Sequence, residues 1–146
     1  MSTEIYENPW KYKGKIYNGE NSENYVGFIY IIRNKNDNKL YVGKKSLTQA
    51  KTKQYKGKKK KIRISSLWRS YYGSSPELLA DISKLGKENF TREILHFCKS
   101  KSELAYMELK EQIERKVMET DNSYNGWIMV RVRKVNLKKS DFFLSQ

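Results

Sequence analysis

Apolar residues are concentrated in short stretches separated by polar segments, and two of these stretches lie close together in the chain. Residues 25–33 are rich in Ile, Val and aromatic side chains, which strands favour, and residues 39–45, with Leu40, Tyr41 and Val42, are expected to form the return strand. The segment between them is Asn34-Lys35-Asn36-Asp37-Asn38. Asn and Asp bond their own backbone and tolerate left-handed conformations, so this segment indicates a turn. The pattern therefore predicts a β-hairpin.

A helix and a third strand are predicted after the hairpin. Ser74 and Ser75 precede a proline, and Glu77 lies three residues after Ser74, as in a capping box at a helix N-terminus. Gly86 indicates the end of this helix. Residues 90–98 follow as the third strand. The apolar positions expected to form the buried stripe of the helix are Leu78, Leu79, Ile82 and Leu85.

A second capping box, Ser100 with Glu103, predicts the start of a long helix over residues 101–118. Residues 127–135 alternate enough to predict a terminal strand. The core order is β-β-α-β-α, which predicts an α/β fold whose small sheet, the hairpin plus the third strand, is flanked by helices. The expected apolar face of the long helix is Tyr106, Leu109, Ile113 and Val117.

The length of 146 residues predicts one compact domain with short additions at its ends. Near the N-terminus, the alternation around Trp10 and Tyr12 indicates a short strand, and Gly14 a turn. The predicted divisions are an N-terminal appendage at 1–24, a domain at 25–128 that contains a basic arm at 44–63, and a C-terminal extension at 129–146.

The net charge of +14, from 30 Lys and Arg against 16 Asp and Glu, indicates a polyanionic partner, and nucleic acid fits best. Residues 44–63 contain ten basic residues and no acidic one. We interpret this segment as an arm that contacts phosphates rather than as a solvated loop. A membrane partner is not expected, since the chain has no basic amphipathic helix with a broad apolar face and no apolar stretch of spanning length.

The cysteine and histidine content narrows the chemistry further. One cysteine, Cys98, excludes an internal disulfide and suggests a reducing compartment. A single Cys and a single His do not make a zinc site of the usual ligand set. His96 falls in the predicted third strand and is expected to be a core residue. The first residues lack the pattern of a signal peptide, so a cytoplasmic location is expected.

The residues left for chemistry suit phosphodiester hydrolysis, which needs an activated water, charge neutralisation at the phosphate and help for the leaving oxygen. Without a histidine pair or an aspartate cluster, a two-metal site is not expected. Tyrosines, lysines and arginines with one helical carboxylate remain. Tyr30 and Tyr41 lie eleven residues apart across the predicted hairpin, and Lys44 follows closely.

These residues resemble the motifs of the GIY-YIG nucleases, and the likeness is closest to small phage-encoded members of that family. The resemblance to the nuclease core covers roughly residues 25–125, and it implies the GIY-YIG nuclease fold and an endonuclease activity. The segments that carry it are Phe28-Ile29-Tyr30, Tyr41-Val42-Gly43, Lys44-Lys45, Tyr71-Tyr72-Gly73-Ser74-Ser75 and Tyr124-Asn125, with Asn8-Pro9-Trp10 near the N-terminus.

The resemblance also implies roles for particular residues. Tyr30 and Tyr41 would line the site, and Tyr41 would orient or deprotonate the attacking water. Deprotonation requires cations that lower the tyrosine pKa, and Lys44 would supply one. Glu108 would be the single protein ligand of Mg²⁺ or Mn²⁺. Asn125 would either orient the helix that carries Glu108 or contact other site residues without touching the reacting groups themselves.

The chain departs from the family pattern in two respects. Phe28 stands where the motif begins with glycine, and the family's catalytic arginine is not placed by spacing. We favour Arg69, because a guanidinium binds phosphate bidentately and keeps its charge. Glu111, one turn beyond Glu108, is an alternative metal ligand. The candidates for the arginine role are Lys51 with Tyr55, Arg63, and Arg69 with Tyr72.

The sequence thus predicts a metal-dependent, phage-encoded DNA endonuclease with weak or structure-dependent sequence preference, acting in the host cytoplasm. Two alternatives remain: an inactive basic nucleic-acid-binding protein with a degenerate site, and a basic RNA-binding protein of ribosomal type. The sequence leaves open the oligomeric state, including a dimer, and whether the product is a nick or a double-strand break. The predicted DNA-binding residues, acting mainly on phosphates, are Lys45, Lys58, Lys59, Lys60, Lys61, Arg63 and Tyr72.

Overall fold

The fold is taken from a computed structural model, which describes residues 8–130 and 132–145, with only the backbone of Tyr55. The strands are β1 Lys11–Tyr12, β2 Lys15–Ile16, β3 Gly27–Asn34, β4 Leu40–Ser46, β5 Thr48–Tyr55, β6 Lys58–Ser65 and β7 Phe90–Cys98. The α-helices are α1 Pro76–Leu85, α2 Lys101–Glu114 and α3 Lys134–Leu137. Short 3₁₀ helices occupy Ser22–Asn24, Trp68–Ser70 and Lys87–Asn89.

The main sheet has five strands in the order β2-β1-β7-β3-β4. The central strand β3 pairs antiparallel with both β4 and β7, and β1 pairs parallel with β7. The β3–β4 hairpin and the β7 strand agree with the sequence prediction, as does the core order β3-β4-α1-β7-α2. The N-terminal strands extend this sheet, and Trp10 is 1 % exposed, so the described part of the segment before the hairpin, from residue 8, packs into the domain, whereas residues 1–7 of the predicted appendage lie outside the described residues.

Both faces of the sheet are covered, which explains the nearly continuous apolar character of β3. Successive side chains of a strand point to opposite faces. Phe28, Tyr30 and Ile32 therefore pack on one face with apolar residues of α1, whereas Ile29 and Ile31 pack on the other face with α2. None of the helices formed by the described residues has the length and hydropathy needed to cross a bilayer.

Helix α1 begins one residue later than the capping box suggested. The side chain of Ser75, not Ser74, accepts the hydrogen bond from the Leu78 N–H. Glu77 instead forms an ion pair with Lys39. The helix ends at Gly86 as expected, with φ of +95°, but Leu79 of the predicted buried stripe is exposed.

Helix α2 presents a different face to the sheet from the one predicted. It ends at Glu114 rather than near residue 118, and Tyr106 and Ile113 of the expected apolar face are exposed. The buried residues are Leu104 and Gln112. The prediction was wrong because apolar content was taken to define the buried face. The face of α2 that is turned toward the sheet is instead partly polar, and the residues on this face recur every four positions.

The predicted terminal strand at 127–135 is absent from the part of the chain that the structure describes. Within 127–130 and 132–135, Trp127 and Arg133 form an isolated bridge, and α3 begins at Lys134. Near Leu40 and Val42, the outer edge of β4 is closed to another strand. A parallel bridge between Leu40 and Ser123 occupies it, together with side chains described below.

The basic arm is a regular two-stranded ribbon, which the sequence did not reveal. Strands β5 and β6 pair antiparallel along their whole length as a separate sheet. Lys56 and Gly57 connect them with φ of +47° and +75°, the sign pattern of a type I′ turn. The ribbon is anchored where the Ser66 N–H donates to the Leu47 carbonyl oxygen at 2.9 Å.

Candidate active site

A cavity of about 570 Å³ reaches around the outer edge of β4, between the start of α1 and the face of α2 that is turned toward the sheet. Of the six residues predicted to be catalytic, five line it, contributed by three separate segments of the chain. Three come from the β3–β4 hairpin, one from α2 and one from the loop after α2. These five residues are Tyr30, Tyr41, Lys44, Glu108 and Asn125.

The two hairpin tyrosines lie on the same face of the sheet. Tyr30 is paired with Gly43, two residues beyond Tyr41, and the tyrosine ring centroids are 6.2 Å apart. The Tyr30 ring crosses Gly43 so closely that a Cβ there would lie 2.5 Å from the hydroxyl oxygen. A glycine at this position is therefore a condition for the packing of the tyrosine pair.

Burial raises the pKa of both tyrosines, which differs from the expectation that Lys44 lowers it. For Tyr30 the burial is nearly complete, and the neighbouring Tyr41 and Tyr71 raise the pKa further. For Tyr41 burial is again the main cause, partly opposed by its contact with Ser74, whose Oγ is 3.2 Å from the tyrosine hydroxyl. In the free protein these hydroxyls are protonated at neutral pH and suited to donate hydrogen bonds.

Glu108 faces the same cavity with its carboxylate close to Lys44. The Lys44 ammonium lies 3.9 Å from the carboxylate, whose side chain is 14 % exposed. Burial raises the pKa of Glu108, and the charge of Lys44 with a backbone hydrogen bond from the same residue partly opposes this. The Lys44 cation is thus directed toward the carboxylate rather than toward the tyrosines.

Glu111 is held away from the cavity by two basic neighbours. Its carboxylate contacts His96 at 3.0 Å and accepts a hydrogen bond from Arg115 at 2.8 Å. Burial alone raises the pKa of Glu111, but these two partners outweigh it and lower the pKa overall. Between the two alternative metal ligands, the geometry therefore favours Glu108. His96, expected in the core, is instead 41 % exposed because it turns toward Glu111.

Asn125 lies at the outer edge of β4, where its side chain bonds the backbone of that strand. Its side-chain amide accepts from the Val42 N–H at 3.0 Å and donates to the Val42 carbonyl oxygen at 2.9 Å. Gln112 donates to the same carbonyl oxygen at 3.0 Å. The two amides thus take the place of a neighbouring strand and hold the part of β4 that carries Tyr41 and Lys44.

None of the three candidates for the arginine role lines the cavity. The Arg69 guanidinium donates to the Asn18 carbonyl oxygen at 3.2 Å and stacks on the Trp68 ring at 4.3 Å, outside the cavity. Arg63 and Lys51 lie on the ribbon, where Arg63 bonds to Thr48, and the side chain of Tyr55 lies outside the described residues. Among the described lining residues, Lys44 is the cationic one.

The predicted DNA-binding residues divide into exposed lysines and a buried tyrosine. Lys58, Lys59, Lys60, Lys61 and Arg63 are exposed on β6. Lys45 lies 4.3 Å above the Tyr71 ring. Tyr72 is 5 % exposed and packs under the guanidinium of Arg92, so little of its ring is accessible from the surface.

The cavity is also lined by residues that were not predicted as site residues, among them Tyr71, Ser74, Gln112 and Trp127. Tyr71 and Ser74 belong to a segment that carried the family resemblance, and this was the available signal. Gln112 lies four residues after Glu108, which places both on one helix face. Trp127 is exposed at the cavity rim, and no spacing in the sequence pointed to it.

The donor set suits one hard divalent cation. Among the described residues, no group of three or more His, Cys, Asp and Glu side chains converges. Mg²⁺ keeps several waters and is commonly held by one or two carboxylates together with substrate phosphates, which fits a single Glu108. The side-chain oxygen of Gln112 adds a buried amide oxygen without a hydrogen-bond partner to the same lining.

Comparison with known proteins agrees with this geometry. Residues 10–128 match the family described as "Putative endonuclease segE, GIY-YIG domain". No curated protein and no solved structure gave a significant match. The matched segment includes the β3–β4 hairpin, α1, β7, α2 and the Tyr124-Asn125 pair, and it covers well over half of the chain. The resemblance is thereby confirmed, and the chain belongs to the GIY-YIG endonuclease domain family.

Proposed function

We propose that this protein is a DNA endonuclease that hydrolyses phosphodiester bonds with the aid of a divalent metal ion held by Glu108. The observation that carries the proposal is the convergence of Tyr30, Tyr41, Lys44 and Glu108 on one cavity. These residues are up to 78 positions apart in the chain, and family membership supplies the reaction class.

Each of these side chains has a role that its environment supports. When bound, Mg²⁺ or Mn²⁺ would supply positive charge to the phosphate oxygens and to the leaving 3′ oxygen. The Lys44 ammonium would neutralise phosphate charge from the protein side. The protonated hydroxyls of Tyr30 and Tyr41 would position the attacking water and donate to phosphate oxygens. This assignment replaces the role of Tyr41 as a base, because burial disfavours its anionic form.

DNA binding would come mainly from phosphate contacts by the basic ribbon and Lys45. Such contacts carry little sequence information, so weak or structure-dependent sequence preference remains our proposal. The affinity would fall steeply with salt because each lysine–phosphate contact releases condensed counterions.

Nicking of supercoiled plasmid in the presence of Mg²⁺ or Mn²⁺ tests the proposal. Glu108→Gln should lose at least about a hundredfold in rate, comparable to removal of a main electrostatic stabiliser. Glu114→Gln is the matched control, because Glu114 is an exposed carboxylate on the same helix. It should cut at the wild-type rate, and removal of the metal by a chelator should abolish cleavage. Equal activity of both variants would refute the role of Glu108.

A second candidate function is a catalytically inactive DNA-binding protein. The observation that favours it is that none of the candidate arginines lines the cavity. In that case the wild type would bind DNA at low salt but would not cut with Mg²⁺, Mn²⁺ or other divalent ions. An RNA-binding protein would instead prefer RNA over DNA in the same assay and would show no metal dependence.

A further inference from the structure

The β5–β6 ribbon has two faces of different composition. Paired residues of an antiparallel ribbon point to the same side, and successive residues point to opposite sides. The pairing from Thr48↔Ser65 to Tyr55↔Lys58 therefore separates its side chains into two sets. The outer face carries Thr48, Ala50, Thr52, Gln54, Lys59, Lys61, Arg63 and Ser65. The cavity-side face carries Gln49, Lys51, Lys53, Lys58, Lys60, Ile62 and Ile64.

The base of the cavity-side face lies against the domain, beside a residue of the catalytic cavity. Gln49, at its base, lines a hollow of about 560 Å³ together with Lys45 and Tyr71. Tyr71 also lines the catalytic cavity, so the two spaces adjoin at this ring. Ile62 and Ile64 are partly buried, whereas their neighbours on the outer face are exposed. The base of this face of the ribbon therefore shares a hollow with Tyr71, a residue of the active-site cavity.

Lysines extend from the active-site cavity along this face of the ribbon. Lys44 lies in the cavity, and Lys45 lies above the Tyr71 ring at the junction of the two spaces. Lys51, Lys53, Lys60 and Lys58 continue along the cavity-side face, and the segment contains no acidic residue. Each strand has eight residues, so the ribbon is ~27 Å long at ~3.4 Å per residue, which matches about eight base pairs of duplex.

We propose that the DNA flanking the cleavage site lies along the cavity-side face of the ribbon. Lys45, Lys51, Lys53, Lys58 and Lys60 bind its phosphates, and the outer face does not contact it. The ribbon therefore binds the duplex on one side of the cleavage site. This inference rests on the proposed function in taking duplex DNA as the substrate, and it divides the basic residues of the arm into binding and non-binding sets.

Two double variants of one strand test the assignment. Lys58→Gln/Lys60→Gln and Lys59→Gln/Lys61→Gln remove the same charge from the same strand, shifted by one residue and hence by one face. All four lysines are exposed, so both variants should keep the fold. The measurement is the equilibrium affinity for a fluorescent duplex of about 30 base pairs, without divalent metal, between about 50 and 200 mM salt.

The Lys58/Lys60 variant should bind at least about tenfold more weakly near 100 mM salt, with a salt slope smaller by about two. The Lys59/Lys61 variant should keep a slope within about 0.5 of the wild type. On the partner strand, Lys51→Gln/Lys53→Gln should reproduce the first result. Equal losses in the two β6 variants, or a loss confined to Lys59/Lys61, would overturn the inference.

Plasmid cleavage by the wild type with Mg²⁺, measured alongside, separates this inference from the proposed function. Cleavage together with equal salt slopes would overturn the face assignment and leave the nuclease standing. A face-dependent slope without cleavage under any divalent metal would overturn the nuclease proposal and support the DNA path.

Discussion

At the residue scale, the site depends on the absence of one side chain. Gly43 lies opposite Tyr30, and the ring of Tyr30 occupies the space that a Cβ would need. Tyr41 also lies close, with a ring carbon 3.1 Å from the same position. The second motif glycine is thus explained by packing against the tyrosines. The residue at the first motif position, Phe28, is fully buried in the aromatic core.

Gly43→Ala should therefore lower both stability and activity. The added methyl group forces Tyr30 or the backbone of β4 to move, an overpacking cost of about 1–3 kcal/mol. The matched control is Gly126→Ala, since Gly126 lines the same cavity but a Cβ there meets no atom within 4 Å. Chemical denaturation and plasmid nicking measure the two effects. A Gly43→Ala variant as stable and active as Gly126→Ala would contradict this packing argument.

Glu108 should make folding stability depend on pH in a definite direction. Its pKa is raised in the folded protein, mainly by burial, so the folded state holds the proton more tightly than the unfolded state. Stability is then lost as the pH rises through the folded pKa. Glutamine carries no charge at any of these pH values, so Glu108→Gln does not lose folding stability as the pH rises. The variant should therefore be more stable than the wild type at neutral pH without metal.

The difference between Glu108→Gln and wild type should disappear below the ordinary carboxyl pKa, near pH ~4. Urea unfolding at the two pH values, with Glu114→Gln as reference, provides the measurement. Destabilisation by Glu108→Gln at neutral pH would indicate that the Lys44 contact outweighs the burial of the carboxylate. Buried functional carboxylates commonly lower the stability of a protein, and their replacement then raises the free energy of unfolding.

At the element scale, the edge strand β4 is completed by side chains instead of by another strand. Asn125 bonds both the N–H and the carbonyl oxygen of Val42, and Gln112 adds a second donor. Ser123 supports the arrangement by donating from its hydroxyl to the Asn125 side-chain oxygen at 3.2 Å. An edge closed in this way exposes Tyr41 and Lys44 to the cavity while their backbone stays fixed.

Asn125→Asp should destabilise the protein by about 1–3 kcal/mol, because a carboxylate would face the Val42 carbonyl oxygen without a donor. The substitution keeps the shape and the bond from the Val42 N–H, so it isolates the amide donor. Asn122→Ala is the reference, since its side chain makes a single, solvent-exposed bond to Asp37 at 3.3 Å. Thermal unfolding compares the two variants, and equal small effects would argue against the edge-closing role.

At the scale of the whole molecule, the charge is unevenly distributed between the ribbon and the rest of the domain. Eight basic residues and no acidic residue lie in 48–65, so removing this segment lowers the net charge from +14 to +6. No described side chain of this segment belongs to either core cluster. Its ends meet where the Ser66 N–H bonds to the Leu47 carbonyl oxygen.

Replacing residues 48–65 by a two-residue Asn-Gly turn should leave the domain folded, with an unfolding free energy within about 1 kcal/mol of the wild type. The salt slope of DNA binding should fall by roughly four, one unit for each cavity-side lysine of the ribbon. Circular dichroism and duplex titrations provide these measurements. A deletion variant that unfolds would contradict the claim that the domain folds without the ribbon. A variant that binds DNA with an unchanged salt slope would contradict the claim that the ribbon binds the phosphates.

The sequence predicted the elements of the fold more fully than their arrangement. The hairpin, the third strand and the start of α2 follow from alternation, turn chemistry and a serine cap, which act over a few residues. The ribbon was missed because β5 is almost entirely polar and β6 begins with four consecutive lysines, so neither strand shows the sustained apolar alternation that identifies a strand. The buried face of α2 was missed because it contains Glu108 and Gln112.

The sequence by itself determined the family, the core order of strands and helices, and five of the residues that meet in the cavity. Only the tertiary structure decided that Arg69 stacks on Trp68 outside the cavity, that Glu111 is engaged by His96, and that the basic arm is a two-stranded ribbon with two faces. The physical reason is range. Local preferences act between near neighbours in the chain, whereas the direction of a charged side chain depends on which distant surfaces are buried together.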